Sequence, residues 1–278
     1  MALPMTTSAL RVAAIQTVST PRVAENLATA GRLIAEAAAK GARLLLLPEY
    51  FCLMGSADTD KVALREPEGH GPIQDFLADA ARRHRLWLIG GTVPLEDASP
   101  DRVRNTVLVF DPTGRRIARY DKIHLFAFDN GTEAYDEART IAPGQGVSVF
   151  ECGDAGETKL KVGLSVCYDL RFPELYRAMQ SPDLIVVPAA FTATTGQAHW
   201  ETLLRARAIE NLCWVLAAAQ GGQHENGRAT FGHSMLIDPW GRIVASRATG
   251  AGVVVGDIDL ALMQRHRAQL PALAHRVM

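Results

Sequence analysis

Two eight-residue stretches, "LLLLPEYF" at 44–51 and "LIVVPAAF" at 184–191, share one plan: four branched apolar residues, a proline, two residues and a phenylalanine. The correspondence continues on both sides. The first stretch sits in the order apolar run (10–18), helical pattern (20–41), apolar run, helical pattern (71–85), apolar run (86–93), then a strand pair turning at Asp111–Gly114. The second sits in the same order: strand "KLKVGLSVC", helix "FPELYRAMQ", strand, helix "GQAHWETLLRARAIENL", strand "CWVLAAAQ", then a strand pair turning at Asp238–Gly241. A chain that repeats β-α-β-α-β plus hairpin must build two similar sheets. The runs Leu44–Leu47 and Leu184–Val187 lack alternation, as strands covered on both faces do. Two sheets packed face to face with helices outside cover every run, so the expected fold class is α/β, a four-layer α-β-β-α sandwich. Residues 10–278 form one domain on this reading, with no Pro/Gly/Ser-rich linker between the halves. The segment 1–9 is a lead, "GDAGETK" (153–159) is a polar loop at the seam, and 259–278 is a tail able to pack on a partner subunit.

Local signals agree with this order. Thr20 is a plausible N-cap with Pro21 at the first helical position. Val23, Leu27, Ala30, Leu33, Ile34 and Ala37 then recur at helical spacing, and Gly41 suits the C-terminal cap. Pro173 opens the short helix of the second half. In both Asp-Pro-x-Gly turns, proline presets one backbone angle and glycine permits a positive one.

Composition narrows the function class. The 278 residues are 48% hydrophobic with a formal net charge of -1 and no basic block, which argues against a nucleic-acid or anionic-membrane surface. No apolar run approaches the roughly 20 residues a bilayer needs, and "MALPMTTSALR" carries no secretory pattern. The expectation is a cytoplasmic protein. Cys52, Cys152, Cys167 and Cys213 lie far apart with no C-x-x-C pair, so neither disulfides nor a zinc cluster is expected. No cofactor and no metal are called for.

Where the second half ends its buried strand with Ala189 and Ala190, the first has Glu49 and Tyr50. A carboxylate directly after four leucines is costly to bury unless hydrogen-bonded or used, and desolvation raises its pKa toward values suited to proton transfer. The alternative is a glutamate turned outward or paired with an arginine. Lys122, in "RYDKIHLF", follows the first hairpin among hydrophobes, although most lysines are surface charges. Cys167 ends a strand just before a turn and helix. It is either a small core filler or a nucleophile with backbone N–H groups behind it to receive an oxyanion. A nearby ammonium would favour the thiolate. Together the three suit acyl transfer: thiol attack on a carbonyl, a glutamate shuttling the proton, and a lysine steadying the charged oxygen. His124 and His233 are rival bases, each in a run that could equally bury a structural imidazole.

"LLLLPEYF", "YDKIHLF" and "VGLSVCYDLRFPELYR", in this order, resemble the three signatures of the nitrilase superfamily of carbon–nitrogen hydrolases. The resemblance covers roughly Leu10 to Arg276. It implies the α-β-β-α sandwich and a triad of Glu49 (general base and acid), Lys122 (oxyanion stabilisation) and Cys167 (nucleophile). It also implies a second, positioning glutamate, at Glu137 in "AYDEARTIAPG" or failing that Glu133, and an oxyanion contact from the Tyr168 N–H. Tyr168-Asp169 after the cysteine replaces the Trp-Glu of true nitrilases, so the amidase branches are implied. The closest likeness is to amidases of deaminated glutathione; the alternative is an omega-amidase acting on α-keto acid amides. Arg171, Arg205 and Arg207 could recognise substrate anions, with salt bridges (Arg171 to Asp169 or Glu174) the competing role. The family's habit implies a homodimer or larger even homo-oligomer; the partner expected at the site is a small-molecule amide.

Overall fold

The computed structural model describes residues 9–153 and 159–277, so the N-terminal lead and most of the 153–159 seam loop lie outside the described residues. The first half runs β1 (Leu10–Gln16), α1 (Val23–Ala39), β2 (Leu44–Leu46), α2 (Asp60–Leu64), α3 (Pro72–His84), β3 (Trp87–Ile89), β4 (Val93–Glu96), β5 (Val103–Phe110) and β6 (Arg116–Asp121). A small hairpin, β7 (Ala127–Asp129) and β8 (Ala134–Asp136), and then β9 (Val149–Cys152) lead to the second half. That half comprises β10 (Leu160–Leu164), α4 (Pro173–Ala178), β11 (Leu184–Ala189), α5 (Ala193–Asn211), β12 (Trp214–Ala219), the short β13 (Gly221–Gln223) and β14 (Ala229–Phe231), β15 (Ser234–Ile237) and β16 (Ile243–Arg247). β17 (Gly252–Ile258) and α6 (Leu260–Gln269) follow.

The repeat is visible in the pairing. β1, β2 and β3 are parallel neighbours, β5 joins β3 antiparallel, and β6 pairs with β5. β10, β11 and β12 are likewise parallel, β15 joins β12 antiparallel, and β16 pairs with β15. After each hairpin the chain crosses to the other sheet: β9 pairs antiparallel with β10, and β17 pairs antiparallel with β1 over seven residues. Each sheet therefore receives an edge strand from the neighbouring half of the sequence, which ties the halves into one body.

The unbroken leucine run is explained by its two faces. Leu44 and Leu46 point with Val12 and Ala14 into the core between the sheets, against Val162, Leu164 and Val186. Leu45 and Leu47 point with Ala13 and Ile15 to the outer layer, where Leu33, Ile34 and Ala37 of α1 and Ile73 and Leu77 of α3 cover them. All four leucines are fully buried, each worth about 1.5–3 kcal/mol of transfer free energy. On the other side, α4 and α5 cover the second sheet through Leu175, Tyr176, Trp200 and Leu204, completing the four layers.

One local expectation changes. α1 begins at Val23 with Arg22 as its N-cap, not Thr20; the Thr20 hydroxyl instead accepts the Arg22 N–H at 3.1 Å, and the Thr20 N–H is taken by Asn26 Oδ1 at 2.8 Å. Part of the tail packs on its own chain. In α6, Met263 is buried and the Arg267 guanidinium bonds Asp183 (3.0 Å) and the Leu212 carbonyl (2.9 Å). Among the described residues no helix is long and apolar enough to cross a membrane.

Candidate active site

The C-terminal ends of β2, β6, β10 and β11 meet at one end of the sandwich, the position where open α/β sheets place ligands. Three residues past β2, Glu49 is 1% exposed. Its Oε1 accepts bonds from Lys122 Nζ (3.0 Å) and Asn105 Nδ2 (2.9 Å). Oε2 accepts the Ala190 N–H at 2.9 Å. Ala190 is the residue that matches Tyr50 in the repeat, so the sheet-to-sheet stacking itself orients the carboxylate. The turn is held from behind at Gly91, φ +58°, where a Cβ would fall 2.2 Å from the Pro48 carbonyl oxygen; no other residue fits there.

Lys122 directly follows β6 and is fully buried, its backbone fixed by bonds to Asn105 and Gly144. Besides Glu49, its ammonium meets both oxygens of Glu137, at 2.9 and 2.7 Å. Glu137 opens a 3₁₀ turn (Glu137–Arg139) and also accepts the Phe126 N–H (2.7 Å) and the Tyr50 hydroxyl (3.0 Å). Glu133 is engaged elsewhere, with Thr194 and Tyr135. The structure thus brings Glu137, not Glu133, to the lysine.

Cys167 begins a 3₁₀ turn (Cys167–Arg171) at the end of β10, with φ +49°, a left-handed conformation that costs a non-glycine residue roughly 1–2 kcal/mol. Strain of this kind persists where surroundings enforce it, and the enforcing group is Asp169. Fully buried, it accepts the Val166 N–H (2.8 Å) and the Tyr120 hydroxyl (2.7 Å) on one oxygen, and the His124 N–H (3.1 Å) and Nδ1 (2.7 Å) on the other. One carboxylate therefore pins the cysteine turn to residues on both sides of Lys122. The Cys167 side chain sits within the field of the Glu49 carboxylate and the Lys122 ammonium, both of which act on its thiol.

The electrostatics separate the two glutamates. Burial raises the Glu49 pKa, and Lys122 offsets this only in part because the charge of Glu137 opposes it. Burial acts on Glu137 in the same sense, but its two-oxygen contact with Lys122 prevails and holds it below its ordinary value. Burial would lower the Lys122 pKa, yet Glu137 and Glu49 keep it an ammonium. The thiol of Cys167 is pushed well up by burial and then by Glu49. The ammonium that would favour a thiolate is shared between two carboxylates, so its pull on the sulfur is outweighed by burial and by Glu49. A proton on sulfur beside a basic carboxylate is the arrangement that lets the thiolate form only as it attacks. Environments that pull two acids apart mark which one moves the proton.

A cavity of about 210 Å³ opens over the sulfur, lined by Cys167, Phe126, Tyr168, Arg171, Phe191 and Thr192 among others. The Tyr168 N–H lies in the first turn after Cys167, where helical amides have no carbonyl of their own to bond. Arg171 faces this cavity. Among the described residues it forms no ion pair with Asp169 or Glu174; it bonds His199 Nδ1 at 3.3 Å and lies over the Tyr168 and Phe191 rings. Arg207 is buried and holds the Leu170 carbonyl and Glu210, while Arg205 bonds Gly241 and Glu201, so both support the fold. His124 is committed to Asp169 and stacked on Phe172, and His233 bonds the Phe231 carbonyl. Cys52, Cys152 and Cys213 are buried free thiols, the first two pushed up to about 12 by burial. Among the described residues no three His, Cys, Asp or Glu side chains are grouped to hold a metal ion.

Sequence reasoning missed Asn105, Tyr50 as a partner of Glu137, and the anchoring role of Asp169. Asn105 left a signal: an amide at the head of "NTVLVF", inside a strand where asparagine is disfavoured. Asp169 left none beyond its place two residues after the cysteine.

Comparison with known proteins gives this geometry a context. Residues 11–268 match the carbon–nitrogen hydrolase family. A deaminated glutathione amidase from Synechocystis is 40% identical over 270 residues, covering 95% of this chain and 97% of the relative. An omega-amidase from Xenopus tropicalis is 37% identical over 270 residues, covering 96% and 94%. The crystal structure of the C. elegans NitFhit protein superposes with a TM-score of 0.83 at 34% identity, covering 98% of this chain and 66% of that longer one.

Proposed function

This chain belongs to the carbon–nitrogen hydrolase family, and we propose that it is a cysteine-dependent amidase of small carboxylate-bearing substrates, deaminated glutathione foremost. The observation that carries the reading is the buried Glu49–Lys122–Glu137 network beside the Cys167 thiol, which feels the charge of all three. The likeness to deaminated glutathione amidases across nearly the whole chain supports the substrate. The comparable likeness to an omega-amidase makes α-keto acid amides such as α-ketoglutaramate the second reading.

In this mechanism Glu49 takes the thiol proton as sulfur attacks the amide carbon. The developing oxyanion is met by Lys122 Nζ and the Tyr168 N–H, donors whose removal costs on the order of 10²–10³ in kcat in comparable sites. Glu49 returns the proton to the amide nitrogen, the C–N bond breaks, and the amine departs from a Cys167 thioester. Water then gives a proton to Glu49 and attacks the thioester; the carboxylic acid leaves and sulfur is reprotonated. Glu137 keeps Lys122 charged and aimed throughout. Rates of the purified protein on deaminated glutathione, α-ketoglutaramate and simple nitriles test the proposal: the first should give the highest kcat/KM, and turnover of nitriles alone would overturn it.

A further inference from the structure

Among the residues lining the cavity over the sulfur, Arg171 is the one cation. A substrate with a carboxylate in both its acyl and its leaving halves, as deaminated glutathione has, calls for a second cation beyond Arg171. A second cavity, at Tyr50, offers two. A cavity of about 300 Å³ there is lined by Tyr50, Leu53, Met54, Asp58, Lys61 and Arg228, among others. A neighbouring cavity of about 260 Å³ shares Tyr50 and Lys61 and reaches Asn105, the amide that bonds Glu49. Tyr50 in turn bonds Glu137, so this space abuts the proposed catalytic network directly.

The two cations of this space are incompletely used by the protein. Lys61, its side chain 17% exposed, donates to the Asp58 carbonyl (2.9 Å) and the Thr140 hydroxyl (3.1 Å). The one carboxylate within 4 Å of it among the described residues is the mostly exposed Asp58, at a loose 3.8 Å, with Glu137 acting from farther off. An ammonium has three donors, so one remains. Arg228 has no carboxylate partner among the described residues, and its buried Nε has no hydrogen-bond partner. Its guanidinium lies 4.8 Å over the Tyr135 ring, which packs on Phe126 of the sulfur cavity. A buried N–H without a partner is costly, and a bound oxygen would remove that cost. Burial lowers the Lys61 pKa, and an incoming anion would reverse that shift.

From the cavity and its two underused cations we infer that Lys61 and Arg228 form a carboxylate-binding subsite, distinct from the contact at Arg171, for one end of the substrate. The inference rests on the amidase reading above and assigns part of its specificity.

The test is steady-state kinetics of Lys61→Met and Arg228→Met, with Arg228→Lys as the charge-keeping control, on a carboxylate-bearing amide and on its neutral methyl ester. Each methionine variant should lose at least about tenfold more kcat/KM on the anionic amide than on the ester, chiefly through KM, and Arg228→Lys should recover part of that loss. The Ki of glutarate as a competitive probe should rise in parallel. Equal losses on both substrates, or no loss on either, overturn the subsite while the amidase reading stands. Wild-type protein that turns over no carboxylate-bearing amide overturns both. Should Lys61→Met fail to fold, the Arg228 pair decides alone.

Discussion

Lys122 Nζ lies 3.0 Å from Glu49 Oε1, and neither side chain is more than 1% exposed. An ion pair this deep is a liability if either partner is lost, because the survivor keeps its desolvation cost without its counter-charge. Lys122→Met leaves Glu49 and Glu137 facing each other. It should destabilise the fold by about 3–5 kcal/mol and abolish amide turnover. Adding Glu137→Gln should recover part of the stability and none of the activity. Denaturant melts and rates on one set of samples check both halves.

In the proposed mechanism Glu49 must be ionised to accept the thiol proton, so activity should be present above its pKa and lost below it. Burial has raised that pKa from 4.5, which places the acid limb of kcat/KM at a higher pH than an ordinary glutamate would. Glu137 contributes to the upward shift through its charge. Glu137→Gln should therefore move the limb to lower pH even as it reduces kcat. A limb that stays put would assign it to another group.

Cys167 is small, 8% exposed and at the start of a turn, so truncation should spare the fold while removing the proposed nucleophile. Cys167→Ala should keep a cooperative melt within about 1–2 kcal/mol of wild type and lose activity by at least about a thousandfold. Cys167→Gly, which relieves the positive φ, should be equally inactive. Activity assays and thermal melts of the two variants suffice.

Asp169 acts through others, holding the cysteine turn against Tyr120 and His124. Replacing it with asparagine keeps the shape but removes the charge from four accepted bonds. Asp169→Asn should cost about 2 kcal/mol or more and lower kcat with little change in KM. It should also slow alkylation of Cys167 by iodoacetamide, a readout that a purely global effect on stability would not move in the folded protein.

Much of this was legible in the chain. The repeated Pro-x-x-Phe strands and the Asp-Pro-x-Gly turns foretell two sheets with the same strand order, because a run of four leucines is stable only with both faces covered. The ends of the strands bearing Glu49, Lys122 and Cys167 were legible for the same reason: each puts a polar or reactive group at the rim of an apolar run. The exchange of β9 and β17 between sheets was not, since edge pairing depends on where a loop lands rather than on any local pattern. Nor was the upward push on the Cys167 thiol. That depends on summing Glu49, Lys122 and Glu137, three charges from separate elements, and sequence gives their order but not their distances. The cavity of Lys61 and Arg228 was hidden similarly, as its walls come from residues 50–61 and 228.

The account stands on Cys167 carrying the acyl group. Acid quenching of the protein during turnover of a carboxylate-bearing amide, followed by peptide mass mapping, tests this most directly. The predicted result is a mass increase equal to the acyl fragment on the peptide containing Cys167, formed at the rate of the burst and absent in Glu49→Gln. Turnover that proceeds with that peptide unmodified, or that persists in Cys167→Ala, would contradict it.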